Sequence, residues 1–245
     1  MSKRVFAIGD IHGEVEALEN LITSLNAKPE DEFIFLGDYI DRGKSSKQVI
    51  DFLINLSKKH DCTFVRGNHE EFLLKSLIED DKNFHDFWCR HGGDQTLKSY
   101  GVETVAELRI KMPDDHLAFY LNTVSAHEID THIFSHANWE CHKPLKDQDT
   151  AHLRYHFMDV ARPVSTFKKQ VVVGHSALMT GKPAHKGNFL CIDTVQYGWL
   201  TAYDVTNGGF YQASKENKTR YVEKSDLYSE ARHVPPQYWR RLPKV

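Results

Sequence analysis

The first seventy residues repeat one rhythm three times. A short, mostly apolar run is followed by a glycine-flanked polar loop and then by apolar residues at helical spacing. Val5-Phe6-Ala7-Ile8, Phe33-Ile34-Phe35-Leu36 and Thr63-Phe64-Val65 have strand length and are not interrupted by charge. Such runs suit strands buried on both faces. The stretches from about Val15 to Leu25 and from Val49 to Leu56 carry apolar residues three and four apart, the signature of an amphipathic helix. Alternating strand, loop and helix predicts an α/β layered fold, with ligands gathered at the carboxyl ends of the strands.

From about residue 72 to 122 the spacing turns helical throughout. Leu73, Leu74, Leu77, Phe84, Phe87, Trp88, Leu97, Tyr100, Phe119 and Tyr120 mark it, and it reads as a helical cap inserted over the strand ends, with most of its aromatics in the core. Two later apolar runs end in histidine: Ile133-Phe134-Ser135-His136 and Val171-Val172-Val173-Gly174-His175. Leu190-Cys191-Ile192-Asp193 and the run from Trp199 to Val205 are further strands, and Gly208-Gly209 is a hairpin turn. This divides the chain into one domain over 1–214, with the cap inserted, and a charged extension over 215–245 that holds Pro235-Pro236.

A length of 245 residues allows a substantial core. The formal net charge of -3 argues against a nucleic-acid partner. The four cysteines, Cys62, Cys89, Cys141 and Cys191, are scattered, which suggests neither a disulfide framework nor a zinc knuckle. The first apolar run is too short for a signal-peptide core, and no run reaches transmembrane length. A cytoplasmic protein with no membrane partner is the expectation. The 15 histidines change the picture, because several stand beside Asp, Asn or Gly.

Three loops carry them: Gly9-Asp10-Ile11-His12-Gly13, Gly37-Asp38-Tyr39-Ile40-Asp41-Arg42-Gly43 and Gly67-Asn68-His69-Glu70. With His136 and His175 they supply carboxylates, an amide and imidazoles from five segments, all at predicted strand ends. Asp10 and His12 alternate along an extended segment and so point the same way. Such a donor set suits a pair of divalent cations. Two cations about 3.5–4 Å apart can activate water and clamp a phosphate ester. A single Asp can bridge them, and Asp38 is the best placed.

These motifs resemble those of the calcineurin-like metallophosphoesterases, and within them the phosphoprotein phosphatases of the bacterial serine/threonine type. Gly9 to Gly13, Gly37 to Gly43 and Gly67 to Glu70 match the family pattern at its key positions. Ser135-His136-Ala137 and Gly174-His175-Ser176 resemble the two later motifs. The likeness extends over at least residues 3–205. It implies a four-layer α/β/β/α sandwich with two central sheets. It also implies that Asp10, His12 and Asp38 hold one metal and that Asp38, Asn68, His136 and His175 hold a second. His69 would then be the general acid, Asp41 its orienting carboxylate, and Arg42 a grip on the phosphate oxygens, with a metal-bridging hydroxide as nucleophile. For the family's second phosphate-binding Arg, Arg154 and Arg162 both lie in the right interval, and the surroundings of Arg154 are closer to the family segment.

The resemblance implies a dinuclear metal cofactor, most simply manganese, with iron, zinc or nickel open to the same donors. The expected activity is phosphoric monoester hydrolysis, with a phosphoprotein as substrate and a small phosphate ester such as a symmetrical dinucleoside tetraphosphate as the alternative. The intact Asp41-Arg42 pair favours the phosphoprotein. A non-catalytic phosphatase-like binding module ranks below both, because every expected ligand and His69 are present.

Overall fold

The computed structural model describes residues 3–79, 81–158 and 167–227. Its core is a pair of sheets. The first is six-stranded, in the order β11-β10-β9-β1-β2-β3, and the second is five-stranded, in the order β4-β5-β6-β8-β7. In the first sheet β1 (Val5–Ile8), β2 (Glu32–Phe35) and β3 (Asp61–Phe64) run parallel, while β9 (Leu200–Asp204) lies antiparallel against β1. β10 (Phe210–Ala213) and β11 (Thr219–Val222) continue that sheet. In the second, β5 (His132–Ser135), β6 (Gln170–Val173) and β8 (Phe189–Cys191) run parallel, edged by β4 (Ala126–Glu128) and β7 (Ala184–Lys186).

The two-residue side-chain period of a strand explains why these runs read as continuously apolar. Ala7, Ile34, Leu36, Phe134, Val172 and Leu190 point inward and fill the space between the sheets. Their chain neighbours point outward. Phe6, Ile8, Phe33 and Phe35 pack under α1 (Val15–Ser24) and α2 (Ser46–Ser57). Ile133, Val171, Val173 and Cys191 pack with Leu153 of α8 (Thr150–Tyr155). The central strands thus have two apolar faces, and the result is the α/β/β/α sandwich. Phe6, Phe33 and Phe35 are fully buried, each contributing on the order of 1.5–3 kcal/mol of transfer free energy.

The insertion is helical. It comprises α3 (Asn68–Ile78), α4 (Lys82–Trp88), a π-helical turn at Cys89–Gly93, α5 (Asp94–Ser99), α6 (Val105–Lys111) and α7 (Asp114–Leu121). Arg66 holds the end of α7 in place: Nε donates to Thr123 Oγ1 at 2.7 Å and Nη2 donates to the Tyr120 carbonyl at 3.1 Å. Among the described residues, no helix is long and apolar enough to cross a membrane. β11 lies beyond residue 214 and is part of the main sheet. The rest of the expected extension, from residue 228, and Arg162 lie outside the described residues.

Candidate functional site

The first-sheet loops that follow β1, β2 and β3 meet the second-sheet loops that follow β5 and β6 along one rim. Backbone bonds tie the first two loops together: the Ile11 and His12 N–H groups both donate to the Asp38 carbonyl, at 3.0 and 2.8 Å. Seven non-glycine residues among those described have positive φ, and five are site residues: His12 (47°), Asp38 (52°), Asp41 (72°), Arg42 (67°) and His175 (59°). Left-handed backbone is uncommon in such residues, and its clustering here marks a place where geometry overrides local preference. Gly67 shows the same pressure, since a Cβ there would overlap Asp38 Oδ1.

Asp38 is the centre. Its oxygens lie 3.6 Å from His12 Nε2, 3.9 Å from His69 Nε2 and 3.3 Å from His136 Nε2. The structure groups its side chain with His12 and His69 on one side, and with His136 and His175 on the other. The His69 N–H at the start of α3 donates to Asp38 Oδ1 at 3.1 Å, placing the carboxylate against the positive end of that helix. Burial opposes its ionisation, but the surrounding His136 and His69 rings outweigh that and hold the carboxyl well below the usual range.

The imidazoles are oriented from behind. His12 Nδ1 meets the Ile40 carbonyl at 3.0 Å, and His136 Nδ1 meets the Leu36 carbonyl at 2.8 Å. Donation at Nδ1 leaves each Nε2 as the inward-facing atom, the usual device for presenting an imidazole to a cation. His136 Nε2 then faces two acceptors, Asn68 Oδ1 at 3.0 Å and Asp38 Oδ1 at 3.3 Å. A neutral imidazole lone pair cannot face two oxygens without a proton or a cation among them. Here His136 is raised above its ordinary value: burial lowers it, and the Asp38 charge more than offsets that. Metal binding replaces such a proton. His175 Nδ1 lies 2.9 Å from the same Asn68 oxygen, and burial followed by the nearby His136 lowers His175 to about 3. It is therefore neutral, the form that ligates. The donors present fit two borderline divalent ions.

Asp10 is placed differently from the rings. Its carboxylate accepts the His175 N–H, at 3.2 and 3.1 Å. Burial first, then the Asp193 and Asp38 charges, raise its pKa well above the usual range. Arg42 spans the opening, with Nη1 2.8 Å from His12 Nε2 and Nη2 3.2 Å from His69 Nε2. His69 Nδ1 meets Asp41 Oδ2 at 2.6 Å. Arg154, on α8, is buried and pairs through Nη1 with Glu71 of α3 and through Nη2 with Ser125 Oγ at 3.3 Å. None of those partners belongs to the Asp38 cluster.

Several further residues support the site, and the contributions of Trp88, Thr96 and Asp193 escape sequence reasoning. Trp88, read as core, and Thr96 both donate to Asp41. Glu70 accepts three backbone N–H groups, from Gly67, Asp38 and Tyr39, stitching the second loop to the third. Asp193 is a further buried carboxyl beside Asp10, pushed up to about 6 by burial. Its signal was available: an acid directly after an apolar strand, as at Asp10 and Asp38.

One carboxylate shared by two imidazole groups, on the rim of a two-sheet sandwich, is the donor arrangement of a dinuclear metal centre. The family model for calcineurin-like phosphoesterases matches residues 3–179, and the chain belongs to that family. Solved structures share the fold. One, from a protein taken to be a diadenosine tetraphosphatase, is 19% identical with a TM-score of 0.62, covering 87% of this chain and 94% of that one. A cold-active protein-tyrosine phosphatase from a psychrophilic Shewanella is 13% identical with a TM-score of 0.59, covering 91% and 81%. A protein serine/threonine phosphatase from Saccharomyces cerevisiae is 14% identical with a TM-score of 0.54, covering 90% and 80%.

Proposed function

We propose that this phosphoesterase hydrolyses phosphoserine and phosphothreonine in proteins with the help of two divalent cations. The observation that carries the reading is the line Arg42–His69–Asp41 beside Asp38. A guanidinium, an imidazole and a carboxylate stand in hydrogen-bond sequence at the mouth of the metal-ligand cluster. Asp10, His12 and Asp38 would hold one ion, and Asp38, Asn68, His136 and His175 the other. Manganese is the proposed ion, with iron, zinc or nickel as alternatives. When bound, the pair supplies charge that neutralises the phosphate and acidifies water.

The chain's own residues do the rest. Arg42 presents a planar fork of N–H donors to the phosphate oxygens. Asp41 fixes His69 with its proton on Nδ1 and stabilises the charged ring. His69 Nε2, on the Arg42 side, delivers a proton to the leaving alkoxide. Arg154 is proposed as the second guanidinium at the phosphate. Its Nε is buried without a partner among the described residues, and its Nη1 is held by Glu71, two positions after His69.

A second reading is hydrolysis of a small phosphate ester, such as a symmetrical dinucleoside tetraphosphate. It draws support from the likeness to the diadenosine tetraphosphatase structure, which this chain matches over 94% of that chain's length. Phosphate release by the chelated, manganese-reconstituted chain separates the two. Fast turnover of a phosphothreonine peptide with slow cleavage of diadenosine tetraphosphate supports the protein phosphatase, and the reverse supports the second reading. No turnover of either, with metal bound, returns the chain to the class of phosphatase-like binding modules or to another ester.

A further inference from the structure

A shallow, open cavity of about 460 Å3 lies at the surface beside Arg42. Its wall is the segment joining α4 to α5, including Arg90, His91, Gly92, Asp94 and Gln95. None of these belongs to the proposed metal set, and no step described above uses them. The volume falls within the range of small-ligand pockets and leaves room for more than a phosphoryl group.

The wall is built onto the phosphate grip. The Arg42 N–H donates to the Gly92 carbonyl at 3.1 Å. Gly92 has a φ of 110°, and a Cβ there would lie 2.5 Å from Arg42 N, so only glycine allows this approach. His91 is fixed as well: its ring lies tilted against that of Phe87, with centroids 4.1 Å apart, and its Nδ1 lies 2.7 Å from the Phe87 carbonyl.

The charge around the cavity is unbalanced. Arg42 and Arg90 contribute two guanidiniums. The lining carboxylate, Asp94, is already engaged by Lys98 Nζ and Gln95 Nε2, both at 2.9 Å. The Arg90 guanidinium has no ion pair and no hydrogen bond among the described residues, and its side chain is exposed. An unengaged guanidinium next to a phosphate-gripping one favours a further carboxylate or phosphate, the groups its fork fits.

We propose that this cavity is a subsite for a second anionic group of the substrate, carried a few bonds from the scissile phosphate, and that Arg90 selects for it. The inference rests on the hydrolase reading given above. The second anion has two sources of shared chemistry: an acidic side chain flanking a phosphothreonine, or a neighbouring phosphate in a polyphosphate chain.

The test uses the manganese-loaded full chain, and kcat/KM is the readout. One pair of substrates is a phosphothreonine peptide with Glu neighbours and the same peptide with Gln neighbours. The other is a nucleoside triphosphate and its monophosphate, and p-nitrophenyl phosphate serves as the reference. The native chain is expected to prefer one doubly anionic member by about two- to fivefold, the range of an exposed charge pair. A preference within the peptides assigns the acidic side chain; one within the nucleotides assigns the second phosphate. Arg90→Gln should bring the ratio close to one, and Arg90→Glu should reverse it, towards Lys-flanked peptides if the peptide arm is the responsive one. A merely structural Arg90 would not produce that reversal. Absence of any preference in the native chain, or a preference both variants keep, overturns the subsite. Failure of the native chain to turn over even p-nitrophenyl phosphate overturns the hydrolase reading and the subsite with it.

Discussion

Trp88 Nε1 donates to Asp41 Oδ2 at 2.8 Å, the same oxygen that His69 Nδ1 meets at 2.6 Å. Thr96 Oγ1 occupies the other carboxylate oxygen at 2.6 Å, and the Asp41 N–H is directed at Ser46 Oγ and Thr96 Oγ1, at 3.1 and 3.0 Å. Trp88 and Thr96 belong to the helical insertion, so the cap reaches into the proposed catalytic line instead of merely covering it. A carboxylate pinned at both oxygens cannot rotate away from the imidazole it orients.

Trp88→Phe keeps most of the ring and removes the donor. Loss of one hydrogen bond to a charged group costs on the order of 1.5–3 kcal/mol. The expected result is a kcat for phosphothreonine about ten- to a hundredfold lower, with a smaller loss for p-nitrophenyl phosphate and a modest fall in Tm. The difference between substrates is the informative part. Equal losses on both would make Trp88 a packing residue only.

His69→Asn tests the proposed proton donor itself. General acid assistance matters most for a basic leaving group and is typically worth 10²–10⁴-fold, so alkyl phosphates should lose about that much while aryl phosphates lose far less. A series of phosphate esters of graded leaving-group pKa gives the slope. A slope identical to that of the native chain would remove His69 from the role.

Much of this arrangement was legible in the sequence, and the reason is physical. β1, β2, β5 and β6 are buried on both faces, so they read as apolar runs, and the proposed ligands Asp10, Asp38, His136 and His175 follow them within one to three residues. β4, β7 and β11 were not foreseen. They are short edge strands of mixed composition, such as Ala126-His127-Glu128, and only pairing makes them strands. The contributions of Trp88 and Thr96 were equally hidden. Their partner lies 47 and 55 residues away, and an indole or hydroxyl that packs in a core looks the same in sequence as one that also donates to a carboxylate.

Glu70 sets a pH dependence. Burial first, then the Asp38 charge, push its carboxyl up from 4.5 to about 7. Between those values the folded chain holds a proton that the unfolded chain has released. The stability this confers is therefore full below about pH 4.5 and is lost as pH rises through 7. His136, also raised, acts in the same direction. His12 and His175, both lowered by burial, act oppositely, but their gain is complete once pH passes the ordinary histidine value of 6.5. The chelated chain should thus melt at a lower temperature at about pH 8 than at about pH 6.5. Manganese should flatten the trend by countering the Asp38 charge, and Glu70→Gln should flatten it without metal. Chelated protein with the same Tm at both values would refute the assignment.

Asp38→Asn isolates the shared charge. Asn has the same size, tolerates the left-handed backbone that Asp38 adopts at a φ of 52°, and can still accept the His69 N–H. The fold should survive with little change in Tm. What disappears is the one negative charge common to the His12–His69 side and the His136–His175 side. A ligand private to one ion would weaken that ion alone, whereas a bridging one must weaken both. The expected outcome is a loss of affinity of at least about tenfold for each of two ions, since even changes behind a metal ligand typically cost 10–100-fold. Equilibrium dialysis followed by elemental analysis would read both sites. Two ions retained per chain at native affinity would show that Asp38 does not bridge. Loss of a single ion would assign it to one side, and the unaffected histidines would identify the other.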